Sequence, residues 1–332
     1  MPKIRDVANK ACVSTATVSH VLNDSRLVSA TLRKRVLVAV RELGYTPDPL
    51  ARSLRTRRSN LIALVIPDIS NPYFPDVARG AQDGAEAHGY LAIVCNTDWQ
   101  GVRERRFLEM MLRQRVGGVI LNPAEVSAEE LFALQRSRIP IVLVGQQIDH
   151  PALDRVAYDN MAATHDVLEH LYARGHRAVA HIGGIQTTAS GRLRRAAYLA
   201  WVAKRGLPVR SEYVSEGDFT QEGGHRAMQR LLACRPRPTA VFAANDFMAL
   251  GALLALQEAG VAVPKDVAVV GFDNIERATY SMPPLTTVGF PRYEMGKMAV
   301  DLLFQRILRG GDRKGEQRCL PHELIVRAST GG

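Results

Sequence analysis

Apolar residues recur at helical spacing through the first forty-five positions of the chain. Three groups follow the i, i+3, i+4, i+7 pattern of one helix face: Ile4, Val7, Ala8 and Ala11, then Val18, Val21 and Leu22, then Val36, Ala39, Val40 and Leu43. Ser14 and Ser29 stand where side-chain oxygens cap the second and third helices, and Gly44 ends the third. The pattern predicts two short helices joined by a tight turn and supported by a third, which is the helix-turn-helix arrangement.

From residue 60 onward, apolar runs of strand length alternate with amphipathic runs of helical length. The strand-like runs are 61–66, 91–94, 118–121, 141–144, 178–182, 240–243 and 267–270, and helical runs include 74–88, 103–115 and 161–174. Strands that are apolar throughout predict parallel sheets covered by helices on both faces. The length of this body is more than one sheet needs, so two α/β lobes are expected.

Positive charge is concentrated in the N-terminal segment. Residues 1–60 contain twelve Lys or Arg against four Asp or Glu, whereas residues 61–332 contain thirty-one against twenty-nine. A basic segment ahead of a near-neutral body is typical of a nucleic-acid-binding module. The alternative is a solvated basic tail, which the helical pattern of this segment disfavours.

Residues 47–59 carry the signals of a very short helix. Asp48 is placed to cap it, Pro49 suits its first position, and Leu50, Ala51 and Leu54 form an apolar stripe among arginines. A helix of two turns does not persist alone, so we expect it to fold only with DNA and a second copy of the chain. A plain basic linker is the alternative interpretation.

Several functional classes lack their signals in this sequence. The N-terminus has no apolar leader and no run reaches the length of a membrane span, which predicts a cytoplasmic protein and not a periplasmic binding protein. The four cysteines are scattered, so neither a disulfide framework nor a metal site is expected. Residues 183–191 are glycine-rich without the spacing of a nucleotide-binding loop, and no nucleophile elbow exists. We therefore predict no cofactor and no enzymatic activity.

Three segments of the chain resemble the lactose/galactose-repressor family of bacterial regulators, and its purine and ribose repressors most of all. These are IRDVA at 4–8, VSTATVS at 13–19 and ARSL at 51–54. The resemblance implies a helix-turn-helix module at 1–46, a hinge helix at 47–59 and a two-lobed body at 60–332 like a type I periplasmic binding protein. Lobe 1 would comprise about 60–160 and 291–319, and lobe 2 about 161–290 and 320–332.

The resemblance also implies the residues that contact DNA. In the second helix, Thr15, Ala16 and His20 match positions that touch base edges. In the hinge, Leu54 matches a leucine that enters the minor groove at the centre of a palindromic operator. The full expected set is Ser14, Thr15, Ala16, Thr17, His20, Asn23, Ala51, Leu54 and Arg55.

Candidate ligand residues follow the predicted strands, because parallel sheets bind ligands beyond the carboxyl ends of their strands. The expected set is Tyr73, Phe74, Asn96, Gln146, Arg192, Arg194, Asn245, Asp273 and Phe290. The resemblance assigns the aromatic pair, the clamping arginine and the acidic acceptor to Tyr73, Phe74, Arg194 and Asp273, whereas Asp246 is expected to cap the following helix. Gln146 and Phe290 replace more polar residues of the family, which favours a nucleobase, a nucleoside or a modified sugar over ribose itself.

These observations together predict a homodimeric transcriptional regulator, most simply a repressor. Its partners would be a palindromic double-stranded DNA operator and a sugar, nucleoside or purine-like effector, with no membrane partner. The apolar helix face of Phe74, Val77, Ala78 and Ala81 is a candidate dimer contact, and the lack of C-terminal leucine heptads predicts no tetramer. A ligand-binding protein with an inert DNA-binding module and a regulator that mainly activates are the alternatives. The sequence is compatible with an effector that releases DNA, as an inducer, and with one that tightens DNA binding, as a corepressor.

Overall fold

A computed structural model describes residues 2–23, 28–45, 59–136, 139–145, 150–208, 210–309 and 314–332. The chain forms two compact units, Met1–Asn60 and Leu61–Gly332. Most of the expected hinge helix, with Ala51, Leu54 and Arg55, lies outside the described residues, as do Gln146 and the side chain of Asn23.

The N-terminal unit contains the three helices that the apolar spacing predicts. They are α1 (Ile4–Lys10), α2 (Thr15–Asn23) and α3 (Ala30–Leu43). Their buried side chains form one small core, made of Val7, Ala8, Ala11, Val18, Val21, Val36 and Ala39. The predicted caps are also confirmed, since Ser14 and Ser29 accept hydrogen bonds from the backbone amides of Thr17 and Leu32.

The turn between α1 and α2 is held from α3. Cys12 adopts a left-handed backbone with φ of 48°, which redirects the chain within a few residues. Arg35 of α3 donates to the carbonyl oxygens of Ala11 and Cys12. A long-range contact from the third helix therefore fixes the angle at which the second helix leaves the turn.

The second unit contains alternating strands and helices along its whole length. In chain order these are β1 (Leu61–Ile66), α4 (Tyr73–Ala87), β2 (Leu91–Asn96), α5 (Gly101–Arg113), β3 (Gly118–Leu121), α6 (Ala128–Arg136), β4 (Ile141–Val144), β5 (Asp154–Tyr158), α7 (Asn160–Ala173), β6 (Val179–Gly183), α8 (Ala189–Lys204), β7 (Val214–Glu216), α9 (Gln221–Leu232), β8 (Ala240–Ala243), α10 (Asp246–Glu258), β9 (Ala268–Val270), α11 (Glu276–Tyr280), β10 (Thr287–Gly289), α12 (Arg292–Arg309), β11 (Gln317–Leu320) and β12 (Glu323–Ile325).

The strands form two parallel sheets, which confirms the predicted fold class. The first has the order β11-β5-β4-β3-β1-β2 and the second β7-β6-β8-β9, with parallel pairing throughout both. We call the first sheet with α4–α6 and α12 lobe 1, and the second sheet with α7–α11 lobe 2. An antiparallel pair, β10 with β12, lies where the chain passes between the lobes.

Helices α4 and α12 of lobe 1 pack at very short range. A Cβ atom at Gly80 would collide with the carbonyl group of Tyr293, and one at Gly296 with that of Val77. Phe74, Val77 and Ala81 are buried in this contact and in the core of lobe 1. The expectation that this face of α4 joins two copies of the chain is therefore wrong, because α12 already covers it.

Two kinds of feature are not found among the described residues. None of the helices there combines the length and the apolar character needed to cross a membrane. Nor does that part of the chain bring together three or more side chains suited to holding a metal ion.

Candidate functional site

A small cavity of about 30 Å³ lies between the carboxyl ends of the two sheets. Residues from both lobes line it: Asn71, Tyr73, Phe74, Trp99, Asn122, Gly145, Tyr158, Ser190, Arg194, Phe219, Asn245 and Asp273. The cavity is thus at the edge where parallel sheets place their ligands.

Aromatic rings form one wall of the cavity. Tyr73 and Phe74 begin α4, and their rings meet edge to face with centroids 4.7 Å apart. Trp99, from the loop after β2, stacks on Phe219 of lobe 2 at 5.1 Å with an interplanar angle of 26°. Flat, partly apolar surfaces of this kind suit a planar ligand.

Arg194 brings a positive charge into the cavity from α8, although only 3% of its surface is exposed. Its Nε donates to Asn160 Oδ1 at 2.9 Å, its Nη2 to the Tyr158 hydroxyl at 2.8 Å, and its Nη1 to the carbonyl oxygen of Ala244. The guanidinium also lies 3.7 Å from the ring centre of Phe272. These contacts fix the guanidinium where β5, α7 and β8 meet, and among the described residues they use three of its five N–H groups.

Asp273 faces Arg194 across the same end of lobe 2. It is 5% exposed, and within the described part of the chain no hydrogen bond reaches its carboxylate. Burial raises the pKa of Asp273 to about 7; the charges of Arg194 and Arg292 oppose this rise, and Asp246 adds to it. Its backbone has φ of 119°, a strained value for a residue with a side chain. The site therefore holds an acceptor that the protein itself leaves unused.

Arg292, at the start of α12, holds the strained loop that carries Asp273. Its Nη1 donates to the carbonyl oxygens of Asp273 and Asn274, while Nε and Nη2 donate to Asp76 Oδ2 at 3.0 and 2.7 Å. Because Asp76 belongs to α4, this arginine ties a cavity loop of lobe 2 to the helix of lobe 1 that carries the aromatic pair.

Asn245, rather than Asp246, caps α10, so the expectation for Asp246 is wrong. The backbone of Asn245 is extended and its Oδ1 accepts from the amide of Met248 at 2.9 Å. The Asp246 carboxylate is fully buried and accepts instead from the Thr287 hydroxyl at 2.6 Å and the Ile275 amide at 2.9 Å. Burial raises the pKa of Asp246 to about 6. The adjacent Asn and Asp have similar capping preferences, so the sequence alone does not separate them.

The structure brings together five of the nine expected ligand residues: Tyr73, Phe74, Arg194, Asn245 and Asp273. Arg192 is exposed and donates to the carbonyl oxygens of Gln186 and Thr187, away from the cavity lining.

Two further expected residues lie outside the lining. Asn96 accepts from the amide of Ile69 at 2.7 Å and donates to Asp98, so it stabilises the loop after β2. Phe290 lies one layer behind the cavity, with its ring stacked on that of Tyr158 at 3.9 Å. Gln146 lies outside the described residues.

Seven residues of the cavity lining lie outside the expected set of nine: Asn71, Trp99, Asn122, Gly145, Tyr158, Ser190 and Phe219. Asn71 precedes the expected aromatic pair, in the segment that follows β1. Asn122 directly follows β3 and Tyr158 ends β5, so the rule of strand carboxyl ends identifies both once the strands are known. Trp99 and Phe219 come from loops with no periodic signal.

Asp273 should make the stability of the second unit depend on pH. Its pKa is near 3.9 in an unfolded chain and about 7 in the folded one, so the folded protein holds the proton more tightly. The stability from this group is present below about pH 4 and is lost as the pH rises towards 7. We expect Asp273→Asn to stabilise the protein relative to the parent by an amount that grows from pH 5 to pH 7, by up to about 1.4 kcal/mol per pH unit.

Urea unfolding of the parent and Asp273→Asn at pH 5, 6, 7 and 8 measures this. Asp246 is present in both proteins, so the difference between them reports mainly on Asp273. A stability difference that stays constant from pH 5 to pH 8 would contradict the assignment.

The residues expected to contact DNA at the start of α2 differ in how far their side chains are exposed. Ser14, Thr15 and Ala16 are exposed, whereas Thr17 and His20 are half-buried. The Ser14 and Thr17 hydroxyls lie 2.9 Å apart and close the N-terminal turn of the helix. Thr15 and Ala16 therefore remain as small, accessible side chains suited to contacts on the floor of a groove.

Comparison with protein families finds two matches along the chain. Residues 3–48 match the model described as "Bacterial regulatory proteins, lacI family", and residues 168–330 match that of a periplasmic binding protein-like domain. The first match covers the three-helix unit, and the second covers most of lobe 2 together with α12 and β11 of lobe 1.

Curated relatives are similar over nearly the whole chain. The HTH-type transcriptional repressor CytR of Escherichia coli (strain K12) is 36% identical over 327 residues, which cover 98% of this chain and 96% of the relative. The HTH-type transcriptional repressor PurR of Photobacterium profundum is 33% identical, with 99% of each chain covered. Among solved structures, the lac repressor dimer bound to operator and the anti-inducer ONPF has a TM-score of 0.86 at 29% identity, with 99% of both chains covered.

Proposed function

The chain belongs to the lacI family of bacterial regulatory proteins, and we propose that its effector is a nucleoside-like molecule bound between the two lobes. The protein is a DNA-binding transcriptional repressor whose α/β body responds to a small molecule. It acts as a homodimer on a palindromic operator, so that each copy reads one half-site with α2. Its relatives are repressors, and we propose no catalytic role for it.

The cavity between the lobes is the observation that carries the effector proposal. Tyr73, Phe74, Trp99 and Phe219 offer ring faces and edges to a planar base. The opposite end offers the Asp273 carboxylate, which accepts from hydroxyl pairs, and the remaining donors of Arg194. A nucleoside has one flat, partly apolar part and one hydroxyl-bearing part, in the same arrangement. A sugar without a base offers this wall only the C–H face of its ring, which covers less of the wall than a base and a sugar together.

Effector binding would act on DNA affinity through the relative orientation of the lobes. Arg292 joins the loop of Asp273 in lobe 2 to Asp76 in lobe 1, and Arg194 joins Tyr158 in lobe 1 to Ala244 in lobe 2. A ligand that contacts these groups favours one arrangement of the lobes over another. Coupling energies in such proteins are about 1–3 kcal/mol, which changes the affinity for the operator by about 5- to 150-fold.

Selection of DNA by the purified chain tests the proposal as a whole. We expect selection from a random duplex library to return a palindrome, and expect Ala16→Asn to change the preferred base at one position of each half-site. The physical reason is that Ala16 is exposed at the start of α2, where an added amide reaches base edges. Addition of cytidine or adenosine should shift the affinity for the selected duplex.

Thr31→Asn is the matched control, because Thr31 is exposed on α3 of the same unit. It should return the parental palindrome. If Ala16→Asn returns the parental consensus, the side chains that contact the base edges lie elsewhere. Tight nucleoside binding without any selected DNA sequence would instead favour a ligand-binding protein with an inert N-terminal unit.

A further inference from the structure

Trp99 is held in a costly backbone conformation beside the cavity. Asp98 and Trp99 have φ of 52° and 59°, the left-handed region that residues with side chains rarely adopt in succession. The loop is kept there by its neighbours: Asn96 and Arg103 both donate to the Asp98 carboxylate, and the amide of Thr97 donates to the carbonyl of Ile66 at 2.9 Å. Strain that is held by several contacts is typical of functional loops.

The indole ring of Trp99 meets lobe 2 directly. It stacks on Phe219 at 5.1 Å and lies 6.5 Å from Phe74, edge to face. The ring of Phe219 packs directly against Gly184, where a Cβ atom would collide with it. The Trp99–Phe219 pair is therefore a close contact between the two lobes beside the cavity.

The indole N–H of Trp99 has no hydrogen-bond partner among the described residues, although the nitrogen atom is buried. A buried donor without a partner costs free energy that native proteins normally avoid. This donor belongs to a side chain that lines the cavity. An acceptor supplied by a bound molecule would remove the cost.

We infer that Trp99 determines effector specificity by donating its Nε1–H to an in-plane acceptor, a ring nitrogen or an exocyclic oxygen, on the planar part of the ligand. The inference rests on the proposed effector site and adds to it the residue that selects a heteroaromatic acceptor. Purely aliphatic sugars, whose hydroxyls are not fixed in the plane of a ring, would not satisfy this donor together with the stacked wall.

Tryptophan fluorescence can be made specific for this site, because the chain contains only one tryptophan besides Trp99 and that residue can be replaced. Trp201 is buried on α8 outside the cavity lining and donates to Glu169 at 2.6 Å. Trp201→Phe leaves Trp99 as the sole emitter. We expect cytidine, uridine, adenosine or guanosine to change its emission in a saturable way, and D-ribose at the same concentrations to leave it unchanged.

Two replacements at position 99 separate the donor from the ring. Trp99→Phe keeps an aromatic face, and benzothienylalanine at position 99 keeps the size of the indole but has no N–H. We expect both to bind the best nucleoside roughly tenfold or more weakly than the parent by calorimetry, with thermal unfolding as the check on folding. Trp201→Phe is the matched control and should keep parental affinity.

The outcomes distinguish this inference from the proposed function. Parental affinity in the benzothienylalanine protein would overturn the role of the donor while leaving the effector site in place. Binding of ribose as tight as that of any nucleoside would overturn the specificity. If the parent binds none of the four nucleosides, the proposed effector class fails and the inference fails with it.

Discussion

Replacing Arg194 with methionine should leave the repressor unable to respond to its effector. Arg194 is 3% exposed and supplies the positive charge beside Asp273. Without it, Asp273 loses the larger of the two positive charges that oppose the effect of burial, so its pKa rises above about 7 and the carboxyl group is mostly neutral at physiological pH. The ligand then loses both a donor fork and an ionised acceptor. We expect effector affinity to fall by about 2–5 kcal/mol, which is roughly thirtyfold to several thousandfold.

The same variant should still bind operator DNA, because the expected DNA contacts lie in the N-terminal unit and the hinge. Its response to the effector should be absent, whichever direction that response takes in the parent. The methionine side chain fills most of the space of the arginine, which limits the packing loss beside Phe272. Calorimetry with the best nucleoside and a DNA-binding titration with and without it measure both properties.

Arg192→Met is the matched control. Arg192 lies two residues away on the same helix and is exposed, and its guanidinium donates to the carbonyl oxygens of Gln186 and Thr187. We expect parental effector affinity in this variant. Equal losses in the two variants would indicate a general electrostatic effect, and no loss with Arg194→Met would move the site elsewhere.

The fold could be predicted where burial and periodicity coincide. Strands such as β1, β3, β4 and β8 are apolar at every position, so a parallel sheet covered on both faces follows from the sequence. The N-terminal helices were equally clear because capping residues and the apolar face agree.

Strands that contain several polar residues were not predicted, and the reason is physical. β7 and β11 are edge strands, which need no apolar residues on every position. β5 is interior but begins with the fully buried Asp154, whose charge is compensated by Arg306 about 150 positions later. Hydrophobicity along the chain cannot report a long-range ion pair.

Part of the candidate site could be predicted, because parallel sheets bind ligands beyond the carboxyl ends of their strands. Tyr73 begins α4, Asp273 follows β9 and Arg194 lies in the second turn of α8, and the resemblance to known repressors singled them out. Trp99 and Phe219 depend on how the two lobes meet, which no local pattern encodes. The apolar face of α4 was wrongly expected to form the dimer contact for the same reason. An apolar stripe does not indicate whether a neighbouring helix or a second copy of the chain covers it.

Replacing Arg306 with methionine should destabilise lobe 1 more than removal of any exposed ion pair. Asp154 is fully buried at the start of β5, and its carboxylate accepts from Arg306 Nε and, at 2.7 Å, from the amide of Glu316. Arg306 also donates to the carbonyl of Ala152 at 3.1 Å. The pair joins α12 to β5 and to the segment that enters β11. Removing one partner leaves an uncompensated buried charge, which costs about 3–5 kcal/mol.

Urea unfolding of three variants distinguishes the cost of leaving the buried Asp154 charge unpaired from the smaller cost of breaking an exposed ion pair. Arg105→Met breaks an exposed pair with Glu130 and should cost about 1 kcal/mol or less. The double variant Asp154→Asn with Arg306→Met removes the stranded charge and should recover part of the stability lost by Arg306→Met alone. Because a domain is stable by only about 5–15 kcal/mol, the single variant should unfold at clearly lower urea. Equal costs for Arg306→Met and Arg105→Met would mean that the Asp154 charge is not confined to the interior of lobe 1.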